Sequence, residues 1–394
     1  MAQRGDFDRA IGLGIPEHAA VGDLSAQEYR DGFRGGVMRM EANWAAGIWL
    51  QDVAQGRDNN FNLIRFCAAT AVLVSHAWPV TLGPAQIEPL KAALGYSLGQ
   101  LALYVFFTLS GFFITASFER SNSAAVFITA RAARLFPCLA VSLVFVACVM
   151  GPLVTGLPVS DYWSDPETGT FFFRNIGLVW PQYTLPGVFA DNPYPKVEGS
   201  IWTLSHEVAC YFIVLVLGVT GLLASRVLLM CMLVLYIAFY AAPVEFHHRV
   251  VQFQWLSLPF VMGVMFWKWR GWINLSLPVL AGLSVLAYLG HNTAFSYPLL
   301  ILALSYGVFW LGYAPSGHVR QFNRLGDYSY GIYIYAFPLQ GLAVWLWGAG
   351  SPGGNILLSF PMVLICAVIS WHWVERPTLG LARAAKVPLF KRVG

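Results

Sequence analysis

Residues 62–82 read NLIRFCAATAVLVSHAWPVTL, an apolar run of membrane-spanning length that holds two ionisable side chains, Arg65 and His76. On a helix their separation of 11 residues is about three turns, so they share a face and stand roughly 16 Å apart along the axis. One falls near a membrane boundary and the other near its middle. Titratable groups at such depth are costly and mark function or pairing, which makes this helix the first place to seek chemistry.

The rest of the chain supports a membrane setting. Of 394 residues 57% are hydrophobic and 11% charged, with a mean hydropathy of +0.59, a surface that a water-soluble domain of this size does not carry. Ten apolar segments are expected to span, at about 62–82, 99–118, 135–157, 204–224, 227–243, 251–267, 272–290, 295–313, 327–347 and 356–374. The fold class is therefore an all-α polytopic transmembrane helix bundle. With both termini in the cytoplasm, 20 of the 24 Lys and Arg residues fall on the inner side and only Lys91, Arg174, Lys196 and Arg249 outside, as the positive-inside rule requires.

Residues 1–58 form a polar extension, with no early apolar stretch that reads as a cleavable signal peptide. Within it, Ser25 to Gln55 mixes charges with Val37, Trp44, Ile48, Trp49 and Leu50, as an interfacial amphipathic helix or a poorly ordered tail does. A basic cytoplasmic tail is expected at 381–394, after a transmembrane domain at 59–380. The six cysteines lie in apolar runs without CxxC or His/Cys spacing, so they read as core residues, and neither disulfides nor a metal site is expected. No nucleic-acid partner is expected either.

The longest outer loop, 158–200, carries Tyr162, Trp163, Trp180, Tyr183 and Tyr194 among carboxylates and amides. That composition suits sugar faces, and it suits interface anchoring equally. Arg131 and Arg134, three apart at an inner boundary, have the geometry to hold phosphate groups, although topology alone also puts arginines there. Ser205, His206 and Glu207 sit together where the chain re-enters the membrane, reading either as a carboxylate-oriented imidazole or as a hydrated boundary cluster.

Taken together, Arg65-x10-His76, Ser110-Gly111-Phe112-Phe113, Arg131-x-x-Arg134 with Pro137, Trp202-Thr203-Leu204-Ser205-x-Glu207 leading to Tyr211, Ser329-Tyr330-x-x-Tyr333 with Pro338, and Glu375-Arg376-Pro377 resemble the membrane-bound acyltransferase-3 family over about residues 59–380. The resemblance implies ten helices that carry an acyl group, acetyl by default, from cytoplasmic acyl-coenzyme A to a hydroxyl of a glycan or glycolipid at the outer face. It also implies a bacterial inner (cytoplasmic) membrane.

For the residues, it implies His76 as catalytic general base with Arg65 as its motif partner, and Arg131 and Arg134, with Ser110, on the coenzyme. Glu207 is expected to orient a histidine or the acceptor, and Trp202, Ser205, His206, Tyr211 and Tyr330 to line the acceptor side. Two positions depart from the family pattern: Ala336 stands where a histidine is common, and His206 where the motif is usually apolar. His206 is therefore expected to supply part of the missing polar function. Glu375-Arg376-Pro377 is expected to close the last helix. A transporter and a non-catalytic lipid- or glycan-binding relative are the alternatives.

Overall fold

A computed structural model describes residues 47–384 except 57, 122, 242–247 and 349, and no side chains at 239–241. Most of the expected N-terminal extension and of the basic tail lies outside the described residues. The long helices are α1 (Phe61–Leu82), α2 (Leu98–Ser121), α3 (Ala124–Val154), α4 (Trp202–Val219), α5 (Arg226–Ala241), α6 (His248–Lys268), α7 (Leu277–Leu289), α8 (Ser296–Tyr313), α9 (Ser329–Trp347) and α10 (Pro352–Ala384). Seven of them, α1, α2, α3, α4, α6, α8 and α10, are long and apolar enough to cross a membrane.

The other three differ for identifiable reasons. α5 and α7 are short. α9 carries Tyr330, Tyr333, Tyr335 and Gln340, yet most of its residues are buried inside protein, where a helix need not be apolar all round. Large apolar side chains such as Leu153, Val227, Leu357 and Trp373 instead point outward, as they do on lipid-facing surfaces.

α2 is the hub, packed by α1, α3, α4, α6 and α8. Glycine makes its tightest contact possible. A Cβ on Gly111 would sit 1.9 Å from the Phe260 carbonyl oxygen, and one on Gly263 would sit 2.1 Å from that of Thr108. The backbones of α2 and α6 therefore touch, the close packing by which helices associate in lipid. Thr108 and Ser305 then share a hydrogen bond of 3.1 Å between α2 and α8.

Several expectations are corrected. At the described end of the Ser25–Gln55 stretch, read as an amphipathic helix or a poorly ordered tail, stand a two-residue strand, β1 (Ile48–Trp49), antiparallel to β2 (Asn274–Leu275), and a single turn over Leu50–Val53. Leu50 is fully buried among Phe61, Trp267 and Tyr313, so this end of the extension belongs to the bundle. Pro377 does not close the last helix. A π-helical turn over Trp371–Glu375 precedes it, and the helix continues to Ala384, since a π turn rearranges the hydrogen-bond ladder in which proline lacks a donor. Of the cysteines only Cys138 and Cys210 are buried; Cys67, Cys148 and Cys231 are exposed, and all six thiols are free.

The loop 158–200 is folded rather than open. It holds helices over Val159–Ser164 and Pro166–Ile176, its Tyr162 hydroxyl donates to the Ala147 carbonyl at 2.7 Å, and the Asn192 amide donates to the Gly341 carbonyl at 2.9 Å. It thereby seats Tyr194 against Phe337 of α9, ring centroids 5.8 Å apart.

Candidate active site

Two cavities are stacked along the length of α1. The one at the Arg65 end, named inner after the expected topology, has about 430 Å³ and is lined by Arg65, Arg120, Arg131, Arg134 and Arg383 against two carboxylates, Glu207 and Asp327. That excess of fixed positive charge suits a polyanion. The arginines are not equivalent, however. Arg134 is committed to protein: its guanidinium pairs with Asp327 at 2.6 Å and with Glu375 at 3.0 Å. Arg65 reaches the same Asp327 at 3.5 Å and lies over the Phe113 ring at 5.1 Å.

Arg131 makes no ion pair among the described residues within 4 Å, and its buried Nε has no hydrogen-bond partner. A buried guanidinium donor without an acceptor is costly, so Arg131 is the one of the three best prepared to receive an anionic group. Beside it Glu207 accepts from the hydroxyls of Ser110, at 3.2 Å, and Tyr211. Asp327 and its pairing with Arg65 and Arg134 were not foreseen; only the carboxylate in the GDYSYG turn before α9 signalled it.

The outer cavity, about 300 Å³, is lined by His76, Trp202, Gln86, Gln100, Glu88 and Lys91 among others. Amides, hydroxyls, one carboxylate, one amine and an indole suit a hydroxylated ligand better than a polyanion. His76 meets Phe337 edge-on with centroids 5.4 Å apart, and its buried Nδ1 has no hydrogen-bond partner. Among the described residues no carboxylate orients this imidazole. Glu88 is the unforeseen member: it accepts from the Ser75 hydroxyl and from the Leu98 backbone N–H, which clips the loop between α1 and α2 to the start of α2.

Five of the remaining expected residues divide between the cavities. Trp202 lines the outer one, whereas Glu207, Tyr211, Tyr330 and Ser110 line the inner one with the arginines. Glu207 is therefore not beside His76, and Tyr211 and Tyr330 are not on its side; the Tyr330 hydroxyl donates to the Leu135 carbonyl at 2.9 Å.

Ser205 and His206 line neither cavity. Ser205 donates to the Trp202 carbonyl at 2.7 Å. His206 Nδ1 lies 2.9 Å from that same oxygen, and its ring stacks on Phe253 of α6 at 6.1 Å. A helix turns about 100° per residue, so adjacent His206 and Glu207 face different neighbours, and His206 does not reach His76. Ala336 is fully buried in a core cluster with Val363 and Ala367 and also lines neither cavity.

A family profile described as an acyltransferase domain matches residues 58–372. An O-acetyl transferase of Shigella phage Sf6 is 28% identical over 333 residues, spanning 81% of this chain and 96% of that protein. Nodulation protein 10 of Rhizobium leguminosarum bv. viciae is 27% identical over 369 residues, spanning 83% of this chain and 95% of that protein. No solved structure matches.

Proposed function

The chain belongs to the acyltransferase-3 family, and on that premise we propose that this integral membrane acyltransferase moves an acetyl group from cytoplasmic acetyl-CoA to a hydroxyl of a glycan or glycolipid at the outer face of a bacterial inner membrane. In this reading the ten long helices all span and both termini are cytoplasmic. The observation that carries it is the stacking of an arginine-lined cavity and a His76-lined cavity along one helix.

Arg131 holds phosphate of the donor, while Arg65 and Arg134, fixed by Asp327 and Glu375, supply the surrounding positive field. The donor's long arm then reaches outward from that anchor. At the outer cavity His76 takes the proton from the acceptor hydroxyl as its oxygen attacks the thioester carbon. Bringing both substrates to one point from opposite sides of a membrane removes most of the entropic cost of their encounter. Trp202 offers a face for a sugar ring, and Gln86, Gln100 and Glu88 offer hydrogen bonds to its hydroxyls.

Mass spectrometry of envelope glycans from cells lacking the protein, complemented with wild type or His76→Ala, tests the reading. Acetyl groups that return with wild type and not with His76→Ala are the expected result. Equal acetylation with both variants overturns the role of His76. Rapid-quench labelling with radiolabelled acetyl-CoA in the absence of acceptor separates direct transfer, which leaves no label on the protein, from an acyl-histidine route.

A further inference from the structure

The two cavities adjoin, and three residues line both: Leu103, Thr203 and Tyr333. On the three helices that carry them, α2, α4 and α9, these occupy the level between the two linings. Along α2 Gln100 lies in the outer cavity, Leu103 in both, and Phe106 and Ser110 in the inner; along α4 the order is Trp202, Thr203, Glu207. On α9 Tyr330 is inner and Tyr333 is shared, and one turn further out Phe337 meets His76. A wall one side chain thick therefore stands between the arginines and His76.

The wall's polar part is a closed set of hydrogen bonds. Tyr333 OH lies 2.9 Å from the Ser200 carbonyl oxygen, Thr203 Oγ1 lies 3.1 Å from that oxygen, and the two hydroxyls are bonded to each other. Two hydroxyls own two protons, so at most two of these three contacts hold a proton at once. One contact is always unfilled, and a hydroxyl is easily turned to a new acceptor. Both side chains are buried, in surroundings where a donor aimed at developing negative charge is worth more than it is in water.

We propose that Thr203 and Tyr333 form a hydroxyl septum that the donor's arm parts, and that the released hydroxyls then donate to the thioester carbonyl oxygen. This rests on the acyl transfer proposed above. As the acceptor oxygen forms its bond to the carbonyl carbon, the carbon–sulfur bond breaks. His76 takes the hydroxyl proton and passes it to the departing sulfur. Thr203 and Tyr333 keep their protons and stabilise the negative charge on the carbonyl oxygen. Leu103, without a polar atom, completes the wall and keeps water out of the passage while it is closed.

The test uses membrane vesicles bearing the full chain, with radiolabelled acetyl-CoA and the envelope glycans as acceptor. Tyr333→Phe keeps the ring and deletes one donor, and Thr203→Val keeps the shape and deletes the other. Each is expected to lower kcat by about 100-fold, the usual effect of losing one oxyanion donor, with the KM for acetyl-CoA unchanged because the phosphate contacts are untouched. Thr203→Ser restores a hydroxyl and is expected to regain most of kcat, which a purely structural defect at Thr203→Val has no reason to allow. Wild-type kcat in both deletions, or a rise in KM at constant kcat, overturns the septum while leaving the acyltransferase reading intact. A wild-type chain that transfers no acetyl group overturns that reading and this inference with it.

Discussion

The inner and outer cavities lie on the same helices and are built on opposite principles. In the inner one two of the arginines are already answered: Asp327 joins α1 to α3 through Arg65 and Arg134, and Glu375 ties α10 to the same Arg134. In the outer one the buried His76 Nδ1 has no hydrogen-bond partner among the described residues. The difference teaches which arginine and which histidine are available to substrates, because a group already paired contributes to architecture and a group left unpaired awaits a ligand.

The largest effect tests the outer side. His76→Ala is expected to lower acetyl transfer by about 10³-fold, in the range of general-base catalysis, while membrane insertion and binding of acetyl-CoA remain normal. Loss of acetyl-CoA binding in this variant would break the separation of the two cavities. The next contrast lies within the inner side. Arg131→Ala is expected to raise the KM for acetyl-CoA by about 10- to 100-fold, the value of one charge-assisted contact, with little change in thermal stability. Arg134→Ala takes from the almost fully buried Glu375 its ion-pair partner and leaves Asp327 with Arg65 alone, and is expected to destabilise the protein by about 3 kcal/mol. Thermal unfolding in detergent distinguishes them, and an exchange of the two phenotypes refutes the assignment.

A third test concerns the frame common to both cavities. Gly263→Val drives a side chain into the Thr108 carbonyl and is expected to cost about 2 kcal/mol or more through overpacking, read as a lower Tm together with loss of activity.

A smaller, pH-dependent effect belongs to the outer loop. Glu198 is fully buried there with both carboxylate oxygens unpartnered, and burial pushes its carboxyl well above the usual carboxylate range. The folded state then holds a proton that the unfolded chain releases above about pH 4.3. Stability from this group is therefore fully present below that pH and declines as pH rises towards the folded value. Glu198→Gln is expected to raise Tm at neutral pH, with the gain vanishing in acid, and a gain independent of pH would refute it. The smallest effect is expected at His206→Ala, since His206 lines neither cavity. Transfer close to wild type agrees with its packing on Phe253, and a loss above tenfold would mean that it reaches the reaction after all.

Local pattern made much of this legible. Arg65 and His76 were recognisable as one helical face because an 11-residue separation has a definite angle and rise, and the apolar runs located the long helices because backbone polar groups in lipid must be satisfied within the helix. Gly111 stood out beside Ser110, although only its contact with Phe260 shows why a glycine is there. The triplet Ser205-His206-Glu207 misled, because neighbours in sequence point to different sides of a helix. Pro377 misled because a π turn accommodates a proline that an uninterrupted α-helix resists.

By itself, then, the sequence determined the membrane setting and the helices, which follow from composition and periodicity, and its short motifs carried the resemblance to the family. Only the tertiary structure decided that Glu207 sits with the arginines and not with His76, that Asp327 and Glu375 occupy Arg134 and leave Arg131 unpaired, and that Leu103, Thr203 and Tyr333 meet in one layer. Each of these depends on the depth and rotation of one helix against another. Those are set by side-chain packing between segments distant in sequence, such as the Gly111–Phe260 contact, and no single segment encodes them.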